Sequence, residues 1–212
     1  MKLQTTLRAT AAAAMLAAAA FPAAAQYSFD ATEVAAFGSP SYGSVTLTQS
    51  GANVDFKVDL RGDMNFLTTG GHDVFAFNGT GVTLADITNI HDASTQTFVP
   101  IVPGIDPPFG SFNFGIVCDT GCSTGGSAGG YPDPLTFTVL NANVSDFLVK
   151  STGAGTLGPA YFAADVILTS GDNKGATGAI GVTTAVPEPE TYALLLAGLG
   201  MMGFMAKRRR PA

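Results

Sequence analysis

Residues 54–60 read Val54-Asp55-Phe56-Lys57-Val58-Asp59-Leu60. Apolar side chains take every second position, and Asp55, Lys57 and Asp59 take the positions between. A period of two is that of a β-strand with one face buried and the other in water. Just upstream, Val45-Thr46-Leu47-Thr48 alternates in the same way, and Ser50-Gly51 separates the two runs. Two alternating runs joined through a glycine predict a hairpin. Working outward, residues 74–77, 82–90, 112–116, 135–139 and 161–168 are further strand candidates. Glycine and proline clusters at 70–71, 103–108, 125–134 and 153–159 punctuate them. Residues 143–150 predict a short helix or turn, with Asn143 as its cap and Asp146 near its N-terminus. Many short strands with frequent turn signals predict an all-β body, an antiparallel sandwich or a jelly-roll-like variant of it.

This pattern fills only the middle of the 212-residue chain. Residues 1–25 read as a secretory signal: Lys2 and Arg8, then an alanine-rich apolar run, then Phe21-Pro22 and Ala23-Ala24-Ala25. Small residues at 23 and 25 fit signal peptidase, with cleavage expected before Gln26. At the other end, Val186-Pro187-Glu188-Pro189 precedes an apolar segment, residues 192–206. Its apolar surface comes from Tyr192, Leu194, Leu195, Leu196, Leu199, Met201, Met202 and Phe204. Lys207, Arg208, Arg209 and Arg210 follow directly. The segment is shorter than the ~20 residues a full span prefers. Snorkelling basic side chains and Tyr192 at the interface make a short span workable. The basic cluster places the tail in the cytoplasm, and the leader places the body outside. The expected organisation is therefore a leader at 1–25, a body at 26–186 and a C-terminal segment at 187–212.

The body carries fourteen acidic side chains against Lys57, Arg61, Lys150 and Lys174. Such a surface lacks the basic patches that nucleic acid and anionic membrane surfaces need, so neither is an expected partner of the body.

Three features stand in order at the C-terminus: Pro187-Glu188-Pro189, a short apolar helix and a cluster of arginines. Together they resemble the PEP-CTERM sorting signal of Gram-negative bacteria. The resemblance implies an exosortase, a membrane cysteine protease-transpeptidase, as the partner that cuts near Pro187–Pro189. It implies a precursor held transiently in the inner membrane, then release or transfer of the body to the cell surface or matrix. It also implies association with exopolysaccharide and biofilm. Two prolines suit the cut physically, because they keep the segment extended and out of helices and sheets. Tyr27-Ser28-Phe29-Asp30, Gly70-Gly71-His72, Ala76-Phe77-Asn78 and Tyr161-Phe162-Ala163-Ala164-Asp165 are similar to bodies often attached to this signal, a type that implies no activity.

Within the body, Cys118 and Cys122 predict a disulfide closing a very small loop, as expected for two cysteines in an exported chain. Asp119-Thr120-Gly121 matches the triplet of aspartic proteases, but that chemistry needs two carboxylates sharing a proton, and one copy is present. Arg61-Gly62-Asp63 spells an adhesion tripeptide that turn chemistry explains equally well. His72 and His91 each precede an aspartate, Asp73 and Asp92. Such a pair can orient an imidazole, although neighbours in a strand point to opposite faces. Loops at 92–95, 119–124 and 170–173 offer oxygen ligands without a Ca²⁺-loop motif. No catalytic set, metal site or cofactor is expected. The leading expectation is a noncatalytic surface or matrix protein. A carbohydrate- or Ca²⁺-binding module is the alternative; sugar stacking would fall to Tyr42, Tyr131 and Tyr161, since the chain has no tryptophan. A secreted hydrolase is the third.

Overall fold

The computed structural model describes residues 23–94, 96–120, 129–153, 155–185, 198–200 and 202. The alternating run at 54–60 lies inside β4 (Asn53–Leu60), with Val54, Phe56, Val58 and Leu60 all buried. β4 pairs antiparallel along its whole length with β3 (Gly43–Ser50), from Gly43 opposite Leu60 to Ser50 opposite Asn53. The turn is Gly51-Ala52, one residue later than the sequence suggested. Gly51 takes φ 63°, the left-handed conformation that a tight hairpin asks of its first residue.

Two antiparallel sheets form the body. The first runs in the order β1 (Ala24–Ser28), β3, β4, β12 (Leu135–Val139) and β7 (Ile87–His91). The second runs β2 (Ala31–Thr32), β14 (Thr177–Val182), β13 (Phe162–Leu168), β6 (Phe75–Phe77), β11 (Phe114–Thr120) and β8 (Thr97–Ile101). β5 (Met64–Phe66) also pairs with the far end of β13. The sheets meet face to face through aromatic rings. Phe56 stacks on Phe137 at 4.4 Å and meets Phe77 at 5.4 Å and Phe162 at 6.2 Å across the gap. Each fully buried Phe of this kind contributes about 1.5–3 kcal/mol by leaving water.

Some sequence expectations need correcting. The run 82–90 is not one strand: Thr83 caps a 3-10 turn at Leu84–Asp86, and the strand begins only at Ile87. The run 112–116 breaks at Asn113, between β10 (Gly110–Phe112) and β11. β1, β8, β9 (Gly104–Asp106) and β14 had no clear alternation to announce them. The expected helix or turn at 143–150 is a 3-10 turn, Val144–Phe147, capped by Asn143 and closed by Asp146. β1 takes Ala24 and Ala25 into the sheet opposite Thr48 and Leu47, so the strand overlaps the expected leader. Cleavage before Gln26 leaves Gln26, Tyr27 and Ser28 to hold that edge.

The outer face of the second sheet is covered by the β9–β10 hairpin. This works because the covered face is made of small residues. Ala76, Ala163 and Ala179 pack beneath Phe109 and Phe112. A Cβ placed on Gly181 would lie 2.5 Å from the Phe109 ring, and one on Gly115 would collide with the Asp73 carboxylate. We predict that Gly181→Val destabilises the body by roughly 1–3 kcal/mol, since overpacking expels Phe109. The loss should shrink in a Phe109→Ala background, measured as a double-mutant cycle by urea unfolding.

Candidate functional site

Two places in the body concentrate chemistry. The first is where the chain leaves it. After β1 the chain crosses from one sheet to the other through Phe29 and Asp30. The Asp30 amide donates to the Gly181 carbonyl at 3.0 Å. Its carboxylate then receives the end of the folded body. The Thr183 amide and hydroxyl donate to Oδ1 at 2.8 and 2.9 Å, and the Thr184 amide donates to Oδ2 at 3.1 Å, joined there by the Thr184 hydroxyl. Lys150 Nζ donates to the Thr183 carbonyl at 2.8 Å and lies 4.9 Å from the centre of the Tyr161 ring. Ala185 follows and is the last described residue of the body.

Most of the C-terminal residues singled out in the sequence lie outside the described residues: Val186, Pro187, Glu188, Pro189, Tyr192, Leu194, Leu195, Leu196, Met201, Phe204, Lys207, Arg208, Arg209 and Arg210. Leu199 and Met202 are described, both helical and exposed. No helix among the described residues is long and apolar enough to cross a membrane.

The second place lies under the β9–β10 hairpin. Asp106, at the end of β9, and Asp165, in the middle of β13, are fully buried, and Asp73 is nearly so. His72 Nδ1 and Asp106 Oδ1 share a hydrogen bond of 2.9 Å. Asp165 Oδ2 accepts from the Thr69 amide and hydroxyl, each at 2.7 Å. Asp73 Oδ2 accepts from the Ile105 amide at 2.7 Å. Asp106 Oδ2 and Asp165 Oδ1 are buried without a hydrogen-bond partner among the described residues. Burial dominates the acidity of all three carboxyls. It pushes Asp73 and Asp106 up to about 6 and raises Asp165 as well, against the opposing pull of their hydrogen bonds. His72 is raised from its ordinary value chiefly by its bond to Asp106, with burial opposing. The sequence paired His72 with Asp73. The fold pairs it with Asp106 instead, from a separate strand 34 positions away. The one sequence signal for Asp165 was an acid set inside an apolar run, Ala164-Asp165-Val166-Ile167.

His91 lies elsewhere, beside a shallow groove of about 370 Å³ on the outer face of the first sheet. Asp55, Lys57, Thr136 and Thr138 line it with Asn89. The register between β7 and β12 shifts here, and Asn89 takes φ 53°. Such bulges re-aim side chains. Phe56 and Phe137 lie at its floor, and at its rim Thr138 donates to Asp55 at 2.8 Å. The aromatics that would stack a sugar are spent elsewhere. Tyr42 and Tyr131 are buried, and Tyr161 carries the Lys150 ammonium. The adhesion-like tripeptide is tied up internally: Arg61 Nε donates to Asp63 at 2.6 Å, and its guanidinium also reaches the Phe37 carbonyl and the Tyr42 ring. In the 92–95 loop, Asp92 accepts from Ser94 rather than presenting free oxygens. Among the described residues no three His, Cys, Asp or Glu side chains gather as metal ligands. Among the same residues neither histidine side chain is hydrogen-bonded to a serine. Asp119 and Thr120 end β11, whereas Gly121 and Cys122 lie outside the described residues.

Residues 185–210 match the protein family described as the PEP-CTERM protein-sorting motif. The motif begins at the residue directly after the Asp30 clamp. No curated protein and no solved structure matches the chain.

The buried cluster gives an unusual pH dependence. Asp73 and Asp106 titrate near 6 in the folded body, against about 3.9 when unfolded. Between those values the folded state holds more protons, so stability falls as pH rises through 6. His72, raised on folding, adds stability below about 6.5 that is lost as pH rises through its folded value. Both contributions have the same sign. The body should therefore gain about 1–2 kcal/mol, a few degrees in Tm, between pH 8 and pH 5.5. Asp106→Asn should flatten that slope in thermal melts across the same range.

Proposed function

We propose that this PEP-CTERM protein is an exported, noncatalytic component of the cell surface or extracellular matrix. In this reading the leader is removed by signal peptidase. The precursor is then held in the inner membrane by the C-terminal apolar segment, with Lys207 to Arg210 in the cytoplasm. An exosortase cuts near Pro187–Pro189 and frees the body for the surface, where exopolysaccharide surrounds it. The observation that carries the reading is the sorting motif at 185–210, attached to an acidic β-body whose last clamped residue, Thr184, directly precedes it. The geometry supports it as well. The clamp of Asp30 on Thr183 and Thr184 lies upstream of the cut, so a cut near Pro187 leaves the clamp and the strands of both sheets in place. A disulfide between Cys118 and Cys122 belongs to the same proposal. It would stiffen the end of β11 outside the cytoplasm, contributing about 2 kcal/mol or less for so short a loop.

The test is intact mass and cell fractionation in a host with its exosortase and in the matched deletion strain. The reading predicts a surface or medium form that lacks the leader and the tail beyond about residue 187, made only when the exosortase is present. An identical full-length tail in both strains would contradict it.

A further inference from the structure

β9 and β10 form a two-stranded sheet of their own, three rungs long, laid over the second sheet. Besides the packing of Phe109 and Phe112, two sets of bonds hold this hairpin down. In the first, Ser111 and Thr152 exchange backbone hydrogen bonds of 2.8 and 3.0 Å, and Ser151 Oγ donates to the Phe109 carbonyl at 2.6 Å. None of those groups titrates. In the second, the Asp73 amide donates to the Ile105 carbonyl at 3.1 Å, and the Ile105 amide donates to Asp73 Oδ2 at 2.7 Å. Asp106, the next residue of β9, shares its 2.9 Å bond with His72. This second set runs through ionisable side chains.

The charges beneath the hairpin do not balance. Ionised, Asp73, Asp106 and Asp165 bring three negative charges there, and Glu33, directly after β2, adds its own near His72. The opposing cation is His72. β6, β10, β14 and residues 151–160 carry no charged side chain, and the one acid of β11, Asp119, lies exposed at its far end. Among the described residues no lysine or arginine pairs with the cluster: Lys57 and Arg61 pair with Asp59 and Asp63, and Lys150 holds Thr183. Asp106 Oδ2 and Asp165 Oδ1 are left without a donor among the same residues, and both side chains are fully buried. A buried carboxylate in that position either keeps a proton or moves to water.

The topology decides which of these groups can move. Asp165 lies in the middle of β13, with β14 on one side and β5 and β6 on the other, and its amide donates to the Asp73 carbonyl at 3.3 Å. Asp106 rides on a hairpin that belongs to neither large sheet. Lifting it breaks the bonds of Ile105 and Asp106 and leaves every rung of both sheets intact. We infer that the β9–β10 hairpin is a pH-operated cover: loss of protons from the cluster beneath it releases its Ile105–Asp106 edge, and mild acid closes it. Released there, the hairpin stays tethered by Ser111 and Thr152, and water reaches the three carboxyls. The raised acidities agree in sign. The closed cover holds protons on Asp73 and Asp106 up to about 6, against about 3.9 for a solvated carboxyl, so closure weakens as pH rises between those values. The bond from His72, raised as well, is lost in the same direction.

Native-state hydrogen exchange on the full-length chain in mild detergent tests this, at pH 5.5 and pH 8, with rates corrected for the intrinsic effect of pH. The amides of Ile105 and Asp73 should lose about tenfold in protection at the higher pH, while amides of β3 and β4 stay within about threefold. Asp106→Asn keeps an acceptor for His72 and removes the ionisation. In that variant the protection of Ile105 and Asp73 should be the same at both pH values, with thermal melts checking that it is folded. If it does not fold, the comparison in the native chain still decides. Equal protection of Ile105 and Asp73 at both pH values would overturn the inference. So would a loss shared equally by β3 and β4, which would mean that the whole sandwich rather than its cover responds. A pH effect undiminished in folded Asp106→Asn would overturn it too.

Discussion

The carboxylate of Asp30 ties the last residues of the folded body to the first. It sits where the chain leaves one sheet for the other, and it accepts amides and hydroxyls from both Thr183 and Thr184. Bonds to an ionised acceptor are stronger than neutral ones. This one group therefore seals the edge formed by β2 and β14 and fixes the direction in which the chain departs.

A second constraint lies on the other side of the same sheet. β13 and β14 present alanines and glycines outward because the β9–β10 hairpin must lie flat on them. That close fit drags Asp106 under cover, where it meets His72, Asp73 and Asp165. Ala163 of β13 with Ala179 and Gly181 of β14 thus make room for a cover. The covered carboxyls make the body favour mild acidity, opposite in sign to the acid sensitivity of paired surface carboxylates.

The hairpin at 43–60 was legible in the sequence because one face of it is buried and the other wet, which writes a period of two. β13 was found too, but β14 was not. It is rich in glycine and small residues and buried on both sides, so nothing alternates. The strand expected at 82–90 failed locally, because Thr83 and Asp86 close a capping box that turns the chain before Ile87. The sorting signal was fully legible, since its recognition depends on local order of proline, apolar and basic residues. Neither the Asp30 clamp nor the His72–Asp106 pair was, because each joins residues far apart in sequence. Adjacency suggested Asp73 for His72, and tertiary geometry supplied Asp106.

The central claim is that the folded body runs unbroken to Thr184 and is fastened there by Asp30. Hydrogen exchange at the Thr183 and Thr184 amides tests it most directly. The account predicts that both are protected, Thr183 nearly as well as Val182 in β14, and that Asp30→Ala lowers both while leaving β3 and β4 unchanged. Unprotected Thr183 and Thr184 amides in the native chain, or protection indifferent to Asp30→Ala, would contradict it.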